Sequence, residues 1–246
     1  MSDVSRNQPL GTPTWIDLGV PDLRAAEAFY GAVFGWEFAA SARGSDCLLR
    51  GLPVAGLRQG TTGPGWAVHL ATDDCDGTAK RVVAAGGTLL EGPHEVGDLG
   101  RAAIGADPTG GRFGLWQGRA QPGCRLVNEP DTLIRNDLVT ARAEAARAFY
   151  ANVFDFTLDG NPDLPELDFT FLRRPDGHEV GGIVGSSDAP ATTWVTTFAV
   201  ADTDATLARV VAAGGTHTAP EDTVYARVAT VTDPFGAEFS VGAPPS

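Results

Sequence analysis

Apolar residues recur along this chain in two alternating rhythms. In residues 15–20, Ile16, Leu18 and Val20 alternate with Trp15, Asp17 and Gly19, the period-two pattern of a strand with two unlike faces. From Leu23 to Phe34 the spacing changes, and Leu23, Ala26, Phe29, Tyr30 and Val33 fall on one side of a predicted helix. Short strand patterns follow around 36–40, 46–50 and 53–58. The sequence then restarts with a strand over 66–72 and a helix over 75–85 that Gly86-Gly87 stops. Strands near 88–91, 100–106 and 112–117 complete the second round.

Self-comparison extends this pattern to the whole chain. Asp22-Leu-Arg-Ala-Ala-Glu-Ala-Phe-Tyr-Gly-Ala-Val-Phe34 matches the segment Arg142 to Phe154, and Arg81-Val-Val-Ala-Ala-Gly-Gly-Thr88 recurs as Arg209 to Thr216. Asp107-Pro-Thr-Gly110 recurs as Asp233-Pro-Phe-Gly236. Three matches in one order mean duplication, with length changes confined to loops. Four strand-helix-three-strand units are expected, at 12–58, 64–117, 132–184 and 192–242, an α+β fold. They pair into domains over 12–117 and 132–242, with 117–131 as linker and residues 1–11 as a loose arm.

Composition narrows the function classes. Lys and Arg number 18 against 31 Asp and Glu, for a formal charge of −13. A nucleic acid or an anionic membrane needs a basic surface, so neither is an expected partner. Only four His and three Cys argue against a zinc-rich or disulfide-stapled protein, and Cys47, Cys75 and Cys124 read as reduced, packed thiols. The polar start and the lack of a long apolar run predict a cytoplasmic protein. No GxxxxGK, strand-linked GxGxxG, GxSxG or HExxH pattern occurs, so no cofactor is expected. Asp73-Asp74 and Asp202-Thr-Asp204 stand where helices begin and read as caps.

The segments Val20-Pro-Asp22-Leu, Ala28-Phe-Tyr30 and Phe34-Gly-Trp36, with the paired glycines and the Asp-Pro-x-Gly turns, resemble the vicinal oxygen chelate superfamily. That superfamily includes glyoxalases, bleomycin resistance proteins and extradiol dioxygenases, and Asp107 to Gln117 is similar to its actinobacterial two-domain members. The resemblance implies four βαβββ units in two tandem glyoxalase-like domains that take a small-molecule ligand, as a monomer or a dimer. It also implies where metal ligands would stand. Those places hold Trp15, Ala67, Arg135 and Val195, then Gly114 and Ser240, then residues near Gly56 and Gly182. A divalent metal needs about three N, O or S ligands, so no family-type metal site is expected, although Glu179 and Glu238 lie nearby.

Strand parity then selects candidate chemistry. Trp15 and Asp17, Ala67 and His69, and Arg112, Gly114 and Trp116 should face one cavity. Asp17 and His69 hold equivalent places in two units, which the fold sets side by side, the arrangement of an acid/base pair. A hydrogen bond beneath a filled pocket is the structural alternative. Trp15 and Trp116 would wall a planar ligand, with Arg112 on the same face and His94 in a loop above. In the second half Arg135, Asp137 and Glu238 should share a cavity, with Thr197 where His69 stands, as a salt-bridged core or an anion site. Arg101, Tyr225 and Arg227 are placed to reach pocket mouths, while Trp36, Trp66 and Trp194 read as core and His178 and His217 as exposed. The expected function is a metal-independent lyase- or isomerase-type enzyme performing dehydration, cyclisation or isomerisation on an aromatic or polyketide-like molecule, as in antibiotic biosynthesis. A non-catalytic drug- or metabolite-binding resistance protein and a metal-dependent lyase or dioxygenase stay open.

Overall fold

The computed structural model describes residues 2–60 and 65–244. Met1 of the expected arm and the start of the second unit at 64 lie outside the described residues. The chain opens with β1 (Ser2–Asp3). The first unit is β2 (Pro13–Val20), α1 (Leu23–Phe34), β3 (Glu37–Ser41), β4 (Gly44–Leu49) and β5 (Leu52–Gln59). The second is β6 (Ala67–Ala71), α2 (Cys75–Ala84), β7 (Thr88–Val96), β8 (Gly100–Ala106) and β9 (Arg112–Gly118). After β10 (Leu126–Val127) come β11 (Leu133–Thr140), α3 (Ala143–Phe154), β12 (Thr157–Gly160), β13 (Phe169–Arg173) and β14 (Glu179–Gly185). The last unit is β15 (Thr193–Ala199), α4 (Thr203–Ala212), β16 (Thr216–His217), β17 (Glu221–Asp222), β18 (Arg227–Thr232) and β19 (Glu238–Ala243).

The helices start and stop as local chemistry demands. Asp22, Asp74 and Asp202 each accept a backbone N–H of the first turn, from Ala25, Gly77 and Ala205. Gly35 ends α1 in the left-handed conformation at φ 70°. Each half forms one sheet with two helices on one face. The first runs β3-β4-β5-β2-β6-β9-β8-β7 and the second β12-β13-β14-β11-β15-β19-β18-β16, with β17 also on β18. At the centre of the first sheet β2 pairs antiparallel with β6, and β5 and β9 flank them in parallel. The registers Trp15↔His69, Asp17↔Gly56 and His69↔Gly114 bring the centres of all four strands to one patch.

The repeated motifs join the two domains crosswise. Helix α1 packs on α4 and α2 on α3, so each apolar core draws on both halves of the chain. The Tyr30 hydroxyl donates to Asp233 Oδ2 and that of Tyr150 to Asp107 Oδ2, both at 2.9 Å. Those aspartates also accept N–H groups within their own turns, from Thr109 and Gly111 and from Phe235 and Ala237. A Cβ on Gly87 would stand 2.8 Å from the Phe149 ring of α3, so this glycine lets the other domain's helix approach.

Two expectations are corrected here. Residues 2–11 are not a loose arm: β1 pairs with β10, Val4 N donates to Arg125 O, and Asn7 binds Thr72 O and the Asp73 carboxylate. The segment 117–131 is not a free linker, because Cys124 and Leu126 are buried and Cys124 N donates to Thr14 O at 2.7 Å. Backbone hydrogen bonding holds both segments, and side-chain periodicity carries no record of it.

Candidate functional site

On the face of the first sheet away from its helices, Asp17 and His69 meet. His69 Nε2 lies 2.9 Å from Asp17 Oδ2, and both side chains are buried. Pairing with a carboxylate makes Nε2 the protonated nitrogen and leaves the Nδ1 lone pair without a partner. A Cβ on Gly114 would fall 2.0 Å from Nδ1, so this glycine provides the room the ring occupies. Arg58 completes the cluster. Its Nη2 donates to Asp17 Oδ1, its Nε is buried without a partner, and its side chain keeps 26% exposure. Burial alone would raise the Asp17 carboxyl, but His69 and then Arg58 outweigh it and hold the group below its ordinary value of 3.8.

A cavity of about 570 Å³ opens above this cluster. Trp15 and Trp116 both line it. The Trp15 ring lies over Gly56, whose added Cβ would be 2.9 Å away, and Trp116 Nε1 is fixed by donation to Gln121 O at 2.9 Å. His94 also lines the cavity, but from strand β7 rather than from a loop, because that strand runs on to Val96. Arg112 does not reach this cavity; it is exposed and lines a neighbouring one of about 400 Å³, with Trp66 and Trp194. Arg101 is held by Asp76 and Glu95 at the surface. His178 and His217 are exposed, and Trp36, Trp66 and Trp194 are core.

The second domain is built differently at the same places. Arg135 Nε donates to Asp137 at 2.7 Å, its Nη1 to Glu179, and its guanidinium lies over Phe169 and Phe171 at 5.4 and 5.6 Å. Glu179 thus takes the role expected of Glu238, which is exposed at the start of β19. Burial raises the Asp137 carboxyl despite Arg135, with Glu179 adding to the rise, the opposite direction from Asp17. Tyr225 is fixed by Asn161 and Asp163, and Arg227 by Asp204 and Asp222.

Neither domain's residues fit a divalent metal at the expected places. Trp15, Gly56, Ala67 and Gly114 carry no metal-ligating side chain, and the Trp15 and His69 rings fill the space above the two glycines. In the second domain Arg135, Gly182, Val195 and Ser240 supply one weak hydroxyl. No group of three His, Cys, Asp or Glu suited to a metal occurs among the described residues. The sequence reading missed Arg58. Its parity with Gly56 on β5 was the available signal, since both stand on the inner face.

Comparison with known proteins agrees with this geometry. The family model described as Glyoxalase/Bleomycin resistance protein/Dioxygenase superfamily matches residues 132–241, and that of the Glyoxalase-like domain matches residues 14–116. A Mycobacterium tuberculosis protein that carries the provisional name glyoxylase CFP32 is 37% identical over 247 residues, spanning 94% of each chain. Anthracycline biosynthesis protein DnrV of Streptomyces peucetius is 34% identical over 257 residues, spanning 94% of this chain and 92% of its own. Among solved structures, the Mn(II)-bound glyoxalase of Novosphingobium aromaticivorans aligns with a TM-score of 0.68 at 18% identity, over 96% of this chain and 82% of that one. The 2,2',3-trihydroxybiphenyl 1,2-dioxygenase of Sphingomonas wittichii RW1 aligns at 0.63 and 16% identity, over 96% and 90%. Such distant structures speak for the fold alone, whereas the full-length relatives and the two matched models together make this chain a member of the glyoxalase/bleomycin resistance protein/dioxygenase superfamily.

Proposed function

We propose that the protein is a metal-independent enzyme that moves protons on a planar, aromatic or polyketide-like molecule. The observation that carries this reading is the Asp17–His69–Arg58 cluster on the floor of a cavity walled by Trp15 and Trp116. Asp17 orients His69 and balances a charge on it; Nδ1 is the nitrogen that takes or gives the proton. Nδ1 is buried against Gly114 of β9, so the His69 ring must turn off that glycine before Nδ1 can reach a ligand's proton. Arg58 supplies positive charge beside any oxygen that gains electrons as a C–H or O–H proton leaves. The family likeness to anthracycline biosynthesis proteins supports a polycyclic substrate.

The test is turnover on a panel of hydroxylated polycyclic ketones. Loss of His69 as acid/base should lower kcat by about 10²–10⁴-fold in His69→Gln, and Asp17→Asn should lower it as well. Full activity in both variants sinks the reading. The burial of Nδ1 favours a second reading, in which the cluster is the floor of a binding protein's pocket. That reading predicts ligand affinity without turnover in the wild type.

A further inference from the structure

Arg58 and His69 do more than floor one cavity. Together with Glu91 and Ile104 they line both the cavity of about 570 Å³ and its neighbour of about 400 Å³. They form the shared wall of two lobes. The near lobe holds Trp15 and Trp116. The far lobe is closed partly by the second domain, through Ala191, Thr192, Thr193 and Trp194. On this wall two nitrogens are buried without partners, Arg58 Nε and His69 Nδ1. Unpaired buried nitrogens also occur at Trp66 in the far lobe and at Arg135, Asn136 and Arg147 elsewhere; what singles out this wall is that two of them stand between two cavities, beside an Arg58 side chain that keeps 26% exposure.

We infer that the substrate is an elongated, multi-ring molecule that lies across this wall and places a hydroxyl or carbonyl oxygen on Arg58, with rings in both lobes. This rests on the reading of the Asp17–His69–Arg58 cluster as the reaction site and adds the size, orientation and anchoring group of its substrate. Charge decides the kind of oxygen. Asp17 already balances Arg58, and the near lobe also carries Asp46, Glu91, Glu95 and Asp98 against a single further arginine, Arg43. A strongly anionic ligand meets repulsion there, whereas a neutral or singly charged hydroxy-ketone finds a donor at Arg58. The two lobes together exceed what a single ring needs and lie in the range of pockets that enclose drug-sized ligands. The second domain, which lacks a His69 counterpart at Thr197, then acts as the far wall of the first domain's site.

The experiment compares binding of 1,8-dihydroxyanthraquinone with that of 2-hydroxyacetophenone, which keeps one ring and the same hydroxy-carbonyl pair. Affinity is read by tryptophan fluorescence and calorimetry on the full chain. Arg58→Gln should weaken both ligands by about tenfold or more, the loss expected when a charged hydrogen-bond donor is removed. Ala191→Trp, at an exposed position of the far lobe, should weaken the three-ring ligand by about tenfold and leave the one-ring ligand within about twofold. Circular dichroism of each variant verifies folding. Equal affinity of Arg58→Gln and wild type, unchanged affinity of Ala191→Trp for the three-ring ligand, or failure of the wild type to bind that ligand overturns the inference. Unchanged turnover in His69→Gln, by contrast, defeats the acid/base reading and leaves these binding results as they stand.

Discussion

Asp17 is held ionised at the floor of its cavity because two neighbours outweigh burial, first His69 and then Arg58. Its folded value lies below 3.8, so its contribution to stability is present above that pH and is lost as pH falls through the folded value. Asp17→Asn should therefore cost about 1–3 kcal/mol at pH 7, and urea unfolding should show the gap to wild type closing below about pH 4. The thiols behave in the opposite sense. Burial pushes Cys124 up to about 12 and Cys75 up to about 11, and Cys47 is raised as well. Native protein should leave all three unreacted toward Ellman's reagent at pH 8, and urea should release all three. The Asp17–His69 pair was legible because strand parity and the internal repeat placed both on one face. Arg58 shares that face by its parity with Gly56, but its reach to Asp17 depends on the register of β5 against β2, which pairing sets and its own sequence does not.

At the scale of elements, the repeated Phe-Tyr of the first and third helices and the repeated Asp-Pro-x-Gly turn proved to be two ends of one contact. The sequence showed them as separate copies, since nothing local says that Tyr30 meets Asp233 and not Asp107. Tyr150→Phe should lose about 1–2 kcal/mol, because Asp107 keeps its backbone donors but surrenders a buried hydroxyl. Tyr150 also accepts from Trp194 Nε1 at 3.1 Å, which adds to the loss. Gly87→Ala should cost more than an ordinary helix-end substitution, because its Cβ meets Phe149, Val82 and a backbone oxygen within 3 Å. Thermal unfolding of both variants checks the order. Helix spans were legible almost to the residue because caps and apolar spacing agree there. Strand β7 was cut short at 91 because its exposed, irregular stretch through Gly92 and Pro93 breaks alternation, and two register shifts against β8 accompany it.

At the scale of the whole molecule, each domain's helices bury their apolar faces against the other domain. The halves should unfold together, in one calorimetric transition, and neither half alone should be stable. The crosswise packing also sets the far lobe of the site, where β15 of the second domain meets the first. Two domains of one fold have diverged in chemistry. One keeps an ionised Asp beside His69 in an open cavity, and the other ties Arg135 to Asp137 and Glu179 beneath Phe169 and Phe171. On the proposed function the first cluster, and no divalent metal, does the chemistry. The most direct measurement is kcat of wild-type protein on a hydroxylated polycyclic ketone before and after exhaustive chelation, with His69→Gln beside it. The account predicts unchanged turnover after chelation and a loss of about 10²-fold or more in the variant. Activity that vanishes on chelation, returns with a divalent metal and survives in His69→Gln would contradict it.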